Sequence, residues 1–467
     1  MYNEEEEGDS YFEGSLKEDL ERFESYLKNG KIDFLDSDRL EAIIDHYLIT
    51  SQYSKAKSCA EHALEYFSFN LNLQLRLAQS MGAMGQLKEA LGVLSKIEKS
   101  EIVSFEVVLT KASIFSQLRD SKNAIKYFRD SLTLGEPEDK DEIYLDLAME
   151  HENLKDYKGA LEVLKEAIKY NPKNEGAIYE IAFCYDQLKD YEKAIQCYSD
   201  FIDDNPYSFT AWYNLGNAYS KSESFEKAIW AYDYCVLIND DFGPVYFNLG
   251  NAYLSLEKYQ LSIESFNKCM ELDGEDPIAL CYIGEAHEQL GELNLAKEFY
   301  KKSLELSPML PDAWLGLGIV EDLQGRTREA ITLIKKANEL DPDNAGIYSV
   351  LAGAYEKLED FDSAIENYKL ALEKDKNDND CLTSCVNLIS NKSLIESLEF
   401  LETSCTDVEK SIAPLLKVNI LWKLGRKEEA IYFYSEYAAF NKEKAKELFQ
   451  IYPDLKQHTS LYRIIEE

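Results

Sequence analysis

The side chains in this sequence best placed to act on another molecule are carboxylates, and they recur at regular intervals. Glu142, Asp146, Glu152, Glu180, Asp186, Glu285 and Glu288 are interleaved with Asn214, Asn217, Asn248 and Asn251. Carboxylates can transfer protons, ligate metals or attract cations. A carboxamide offers both donors and an acceptor, so it can grip a peptide backbone. Catalysis would need more, and the sequence holds no glycine-rich phosphate loop, Ser/His/Asp grouping or H-E-x-x-H. Cys381 and Cys385 have no nearby His and no second pair at zinc spacing, so they read as small core residues. No metal or other cofactor is implied, and we expect no enzyme. The chemistry on offer is recognition.

Its sign follows from composition. The 467 residues carry 87 acidic and 50 basic side chains, a net charge of −37. Such a polyanion repels phosphate backbones and anionic lipid, so neither nucleic acid nor a membrane surface is an expected partner. The first ten residues lack the basic and apolar regions of a secretory signal, and no apolar run is long enough to span a bilayer. Nine cysteines without framework spacing are expected of reduced thiols, so the cytoplasm is the expected compartment.

The elements that position these residues emerge from a repeat. Trp212-Tyr-Asn-Leu-Gly-Asn-Ala-Tyr219 returns 34 residues later as Tyr246-Phe-Asn-Leu-Gly-Asn-Ala-Tyr253. Seven 34-residue units run without insertion from 141 to 378. Less regular units occupy 37–70, 71–104, 105–140, 379–410 and 411–444, making twelve repeats, numbered here in chain order. Positions 4, 7, 8 and 11 of each unit form one apolar helical stripe, and 20, 24 and 27 form another, so each unit is a pair of amphipathic helices. Position 20 reads Ala56, Ala90, Ala124, Ala160, Ala194, Ala228, Ser262, Ala296, Ala330, Ala364, Leu398 and Ala430. A small residue is needed there because the paired helices approach closely. Leu398 marks repeat 11 as degenerate, with altered packing expected. Pro172, Pro206, Pro308 and Pro342 stop second helices.

The pattern W-x2-L-G-x2-Y…A-x3-[FY]…A…P resembles the signature of the tetratricopeptide-repeat family. The resemblance implies an all-α fold, an α-solenoid in which antiparallel helix pairs form a right-handed superhelix, with the first helix of each pair on the inner wall. It also implies a non-catalytic scaffold or adaptor that binds other proteins. We expect acidic disorder over 1–14, a capping helix over 15–36 and ten repeats over 37–378. Two further repeats over 379–444 and capping helices over 445–467 complete the chain. Ser15 and Glu18 suit a capping box, with Leu16, Leu20, Phe23 and Leu27 as the apolar stripe behind it. Leu455, Leu461, Tyr462 and Ile465 are available to cover the other end.

On the first helix, positions 2, 5, 6, 9, 12 and 13 face away from the packing stripe. Position 5 of six consecutive repeats reads Leu145, Tyr179, Tyr213, Phe247, Cys281 and Leu315, with Phe183 and Tyr282 alongside. These residues form either an apolar ligand track or rings buried between neighbouring first helices. Asn214, Asn217, Asn248 and Asn251 fill positions 6 and 9 of adjacent repeats, and the resemblance implies a ladder that holds an extended backbone. Across all twelve repeats these slots hold fifteen acids and four bases, Arg76, Lys221, Lys357 and Lys423. No Lys or Arg stands at position 5 or 9, so the clamp by which related repeats hold acidic C-termini is absent. The expected ligand is a basic, partly apolar polypeptide segment held by Leu145, Asp146, Tyr179, Glu180, Phe183, Asp186, Tyr213, Asn214, Asn217, Phe247, Asn248, Asn251, Tyr282 and Glu285. A sensor that answers a bound peptide by changing superhelical pitch is the alternative. Oligomeric state is left open.

Overall fold

Two helices can pack closely only where one side chain is nearly absent, and the repeats meet this requirement with small residues on both partners. Position 20 is fully buried wherever it is alanine in repeats 1 to 4, 6, 8 to 10 and 12. Opposite it, position 8 is glycine in repeats 6 to 9. A Cβ added at Gly250 would lie 2.7 Å from the Phe266 ring, and at Gly318 2.6 Å from Ile334. Each of those neighbours is the position-24 residue of its own repeat. The L-G of the sequence pattern is thus the floor on which position 24 rests.

The computed structural model describes residues 16–25, 35–98, 104–135, 140–404 and 412–466. Among them there is no strand. The chain divides into two bodies, Met1–Ile238 and Asn239–Glu467. The first holds a helix over 16–25 and six antiparallel pairs, among them Lys140–Asn153 with Tyr157–Tyr170, Glu175–Leu188 with Tyr191–Asp204, and Phe209–Lys221 with Phe225–Ile238. The second begins with Gly243–Ser255 and Tyr259–Asp273 and continues through Pro277–Gln289 with Leu293–Leu306 and Pro311–Leu323 with Thr327–Leu340. It ends with Ala345–Lys357 and Phe361–Lys374, Asn379–Lys392 and Leu394–Ser404, and Ala413–Lys423 and Lys427–Phe440. Within each body this is an α-solenoid of helix pairs.

Local chemistry punctuates each pair. Asn70, Ser104, Asn174 and Ser208, all at position 34, accept from backbone N–H groups near the start of the next first helix. Position 4 is tied back to the preceding turn. Trp212 and Trp314 donate their indole N–H to the carbonyls of Pro206 and Pro308 at 2.9 Å, and the Tyr348 hydroxyl donates to Pro342 at 3.2 Å. Between the helices of a pair, position 15 takes a left-handed backbone in every repeat but the eleventh. Glycine provides it at 85, 291, 325 and 425, and an ordinary residue at Ser51, Arg119, Lys155, Lys189, Glu223, Glu257 and Glu359.

Repeat 11 corrects the sequence register. Its helices are joined by Ser393 alone, in an extended conformation. The shortened turn moves Ser397, not Leu398, into the close-approach slot. Ser397 is fully buried and donates to the Val386 carbonyl at 3.4 Å, as Ser262 donates to Gly250 at 2.9 Å in repeat 7. The small-residue rule therefore holds where it seemed to fail.

At the N-terminal end Phe23 is fully buried against the first repeat, with Leu16 and Leu20 beside it. Asp19 pairs with Arg39, and Glu24 with Lys55 at 2.6 Å. The expected disorder over 1–14, Ser15 of the capping box and Leu27 lie outside the described residues. At the other end the short helices are Lys442–Ala445 and Leu448–Ile451, and the last helix is Thr459–Glu466. Between them Pro453 opens a 3-10 turn over Pro453–Gln457. Leu455 and Leu461 are buried there, as expected.

Ala228→Leu should destabilise the chain by about 1–3 kcal/mol through overpacking, while Glu223→Gly should stabilise it by about 0.5–1 kcal/mol by relieving left-handed backbone strain. Thermal denaturation of both variants checks the pair; a destabilising Glu223→Gly would refute the account of position 15.

Candidate functional site

In the first body, the outward slots of the first helices of repeats 4 to 6 enclose a recess of about 410 Å³ lined by Glu152, Tyr179, Glu180, Phe183, Asp186, Asn214, Asn217 and Lys221. The helix spacing that stacks the repeats brings position 12 of one repeat beside position 10 or 13 of the next. Thus the Cys184 thiol donates to Glu152 at 3.3 Å. Tyr179 is 67% exposed and Phe183 44% exposed, the latter held edge-on against Tyr157 with centroids 6.0 Å apart. Two apolar rings therefore stand at the rim of a carboxylate-lined hollow.

Asn214 is 8% exposed, and its carboxamide nitrogen, though buried, has no hydrogen-bond partner among the described residues. A buried donor without an acceptor costs free energy, so it is a defined place for a ligand carbonyl. Asn217 is engaged from below, accepting from the Tyr232 hydroxyl at 2.8 Å. The two asparagines thus differ: one is fixed by its own repeat, and the other has a hydrogen bond to give.

The carboxylates differ as well. Asp186 pairs with Lys221 from the next repeat, so it is already neutralised and is not the free acid expected from sequence. Arg76 and Lys357 are engaged likewise, Arg76 with Asp45 at 2.6 Å and Glu106 at 2.7 Å, and Lys357 with Asp322 at 2.5 Å. Asp146, Glu152 and Glu180 have no basic partner within ion-pair distance among the described residues. Burial pushes the carboxyls of all three up from their ordinary range. Glu142 and Glu150 add repulsion at Asp146, and Glu180 adds it at Glu152 against the opposing Cys184 hydrogen bond. Glu150 was missed in the sequence reading. It is 1% exposed, one of its oxygens accepts from Ser116, and the other has no hydrogen-bond partner among the described residues. Its signal was available, since position 10 is alanine or another uncharged residue in nearly every other repeat.

The position-5 series does not form a continuous exposed track. Leu145 is half-buried and lies over Gly176 of the next repeat, where an added Cβ would meet it at 3.0 Å. Tyr213 is half-buried beside Phe209 and Tyr232. In the second body Phe247 packs edge-on against Phe266 at 5.4 Å and near Tyr282 at 6.1 Å, while Cys281 is 4% exposed. Adjacent first helices approach closely enough to absorb most of these side chains, and Tyr179 is the one left open. Asn248 and Asn251 are half-buried.

The second body has its own recess of about 440 Å³, lined by Cys281, Tyr282, Glu285, Glu288, Asp312 and Leu315. Burial raises the carboxyls of Glu285 and Glu288, with Asp312 repelling Glu285 and Glu285 repelling Glu288. The Tyr300 hydroxyl, donating to Glu288 at 2.9 Å, opposes the second shift. The remaining reactive-looking groups are structural. His151 closes its turn on Asp156 at 3.0 Å, and His287 on Glu292 at 2.7 Å. Cys235, Cys269, Cys381 and Cys385 are buried free thiols. No group of three or more potential metal ligands occurs among the described residues. No described helix is long and apolar enough to cross a membrane.

Stacked helix pairs with a lined first-helix face define a helical-repeat protein. Tetratricopeptide-repeat profiles match residues 105–134, 154–215, 209–242, 244–276, 279–308 and 323–383, just over half of the sequence, and the chain belongs to that family. Its repeats serve generally as non-catalytic scaffolds for protein or peptide partners. No curated protein matches the sequence significantly. Similar solved structures include the APC/C hetero-tetramer Cut9–Hcn1, 15% identical over 89% of this chain and 95% of that one, with a TM-score of 0.44. A tetratricopeptide repeat protein from Parabacteroides merdae is 16% identical over 53% and 98%, with a TM-score of 0.45. YrrB, described as a TPR protein with an unusual peptide-binding site, is 21% identical over 40% and 96%, with a TM-score of 0.31.

A carboxyl with a raised folded-state pKa favours the folded state below its unfolded pKa and loses that contribution as pH rises through the folded value. Ionised Asp146 and Glu180 therefore cost stability at neutral pH. Asp146→Asn with Glu180→Gln should raise the melting temperature near pH 7 and leave it unchanged at about pH 3.5; calorimetry at the two pH values measures the difference. A lower melting temperature near pH 7 would contradict this electrostatic account.

Proposed function

We propose that this chain is a cytoplasmic adaptor that performs no chemistry of its own and binds a basic, partly apolar segment of a partner protein on the first-helix face of repeats 4 to 6. The observation that carries this reading is the recess where Asn214 keeps an unused donor beside carboxylates that lack counter-ions, under the exposed rings of Tyr179 and Phe183. An extended segment supplies what each group lacks: a carbonyl for Asn214, Lys or Arg for Glu152, Glu180 and Asp146, and an apolar side chain for the rings. Raised carboxyl pKa values support the same polarity, since a cation placed there recovers part of the cost of desolvating the anions. The Glu285, Glu288 and Asp312 recess of the second body suits a basic segment in the same way. For the compartment, support comes from the eight described cysteines, all free.

Asp146→Lys with Glu180→Lys should abolish partner capture from native lysate without lowering the melting temperature. Capture by the unaltered chain should weaken as salt rises, because charges are screened over about 8 Å at physiological ionic strength. Capture should also weaken as pH falls through the raised carboxyl range. Mass spectrometry of the captured proteins gives the readout. Undiminished capture by the double variant would move binding off this face.

A further inference from the structure

The repeats set their own standard for the outward face of a second helix. Positions 22, 26 and 29 lie on one side of that helix, away from the packing residues at 20, 24 and 27. They hold Glu162, Glu166 and Lys169 in repeat 4, and Glu298, Lys302 and Glu305 in repeat 8. Repeat 6 alone fills all three with large apolar side chains, Trp230, Tyr234 and Leu237, which are 47%, 39% and 79% exposed. Solubility is served by the charged version, so the exception needs a reason.

The patch is rigid. Trp212, 6% exposed and anchored through its indole N–H to Pro206, stacks on Tyr234 with centroids 4.3 Å apart and planes at 10°. Trp230 stands edge-on to both rings at 5.0 and 5.3 Å. Aromatic rings held this way lose little freedom when a partner covers them, and Trp and Tyr are enriched among residues that dominate binding. The surroundings give the partner's charge. Asp233 is exposed on the same helix, and one repeat back the slots of Tyr234 and Leu237 are occupied by Asp200 and Asp203. None of the six outward slots in repeats 5 and 6 holds Lys or Arg. A second copy of this chain, at net charge −37, would meet like charge here.

We propose that the outer face of repeat 6 is a second docking surface, for an amphipathic helix with basic flanks from another protein. Its apolar stripe lies on Trp230, Tyr234 and Leu237, and its Lys or Arg side chains reach Asp200, Asp203 and Asp233. The three anchors span about 10 Å at 1.5 Å per residue, or two turns of the guest helix. This surface is independent of the first-helix face, so a chain could hold two partners at once.

The test is a titration of the full chain with a synthetic amphipathic Leu/Lys helix, followed by tryptophan emission and calorimetry. It is made in an Asp146→Lys, Glu180→Lys, Glu285→Lys background so that neither first-helix recess contributes. Leu237→Ser should weaken binding at least fivefold, and Trp230→Ser with Leu237→Ser more than tenfold, with melting temperatures retained for the single variant. An unchanged affinity in Leu237→Ser, or equal binding of a Leu/Glu helix, would overturn the proposal. So would a concentration-dependent dimer in sedimentation that Leu237→Ser abolishes, since the occupant would then be a second copy.

Discussion

Everything in this chain depends on two helices coming close enough for one backbone to receive the side chains of the other. The requirement is visible where a serine replaces alanine: Ser262 reaches the Gly250 carbonyl across the pair at 2.9 Å, and Ser397 reaches Val386 at 3.4 Å. Such contact leaves no room for a larger residue, and position 24 closes over the same spot. Once the packing stripes are satisfied, the outward side of each first helix carries less packing duty. In this chain positions 2, 6, 9 and 12 of that side hold many carboxylates, among them Glu142, Asp146, Glu285 and Glu152.

That choice opposes stability. Desolvated anions without counter-ions disfavour the folded state, and three of the four bases expected on this face, Arg76, Lys221 and Lys357, are occupied with acids of neighbouring repeats. Cross-repeat pairs of this kind contribute little individually, typically about 0–1 kcal/mol at the surface. They do concentrate the unbalanced charge at Asp146, Glu152 and Glu180 in the first body and at Glu285, Glu288 and Asp312 in the second. On the proposed reading, this cost is the counterpart of a surface kept open for a cationic partner.

The architecture was legible because a 34-residue period of small and aromatic residues has one helical solution. What escaped the sequence reading was whatever depends on a neighbouring repeat or on a change of length. Asp186 looked free because its partner, Lys221, is 35 residues away in a different repeat. Tyr179 and Cys281 occupy equivalent slots, yet one is open and the other buried, since burial depends on what the adjacent helix presents. The left-handed turn at position 15 was hidden because seven of its residues are not glycine. Leu398 looked like a broken rule only because a fixed period cannot register a one-residue turn. Glu150 and the Trp230, Tyr234 and Leu237 series were visible as departures from their slots, but positions 10, 22, 26 and 29 had been assigned no role. In a repeat protein the consensus identifies the fold, and departures from it mark the places where this chain does something of its own.

The most direct measurement is carbodiimide labelling of carboxyl groups, read by mass spectrometry, on the full chain carrying Leu237→Ser, with and without a basic, partly apolar extended peptide. If a cationic guest occupies the inner hollow, labelling of Asp146, Glu152 and Glu180 should fall on binding, while Glu162 and Glu166 on the outer side of repeat 4 keep their reactivity. Equal labelling of the first three residues in the presence and absence of bound peptide would contradict the account.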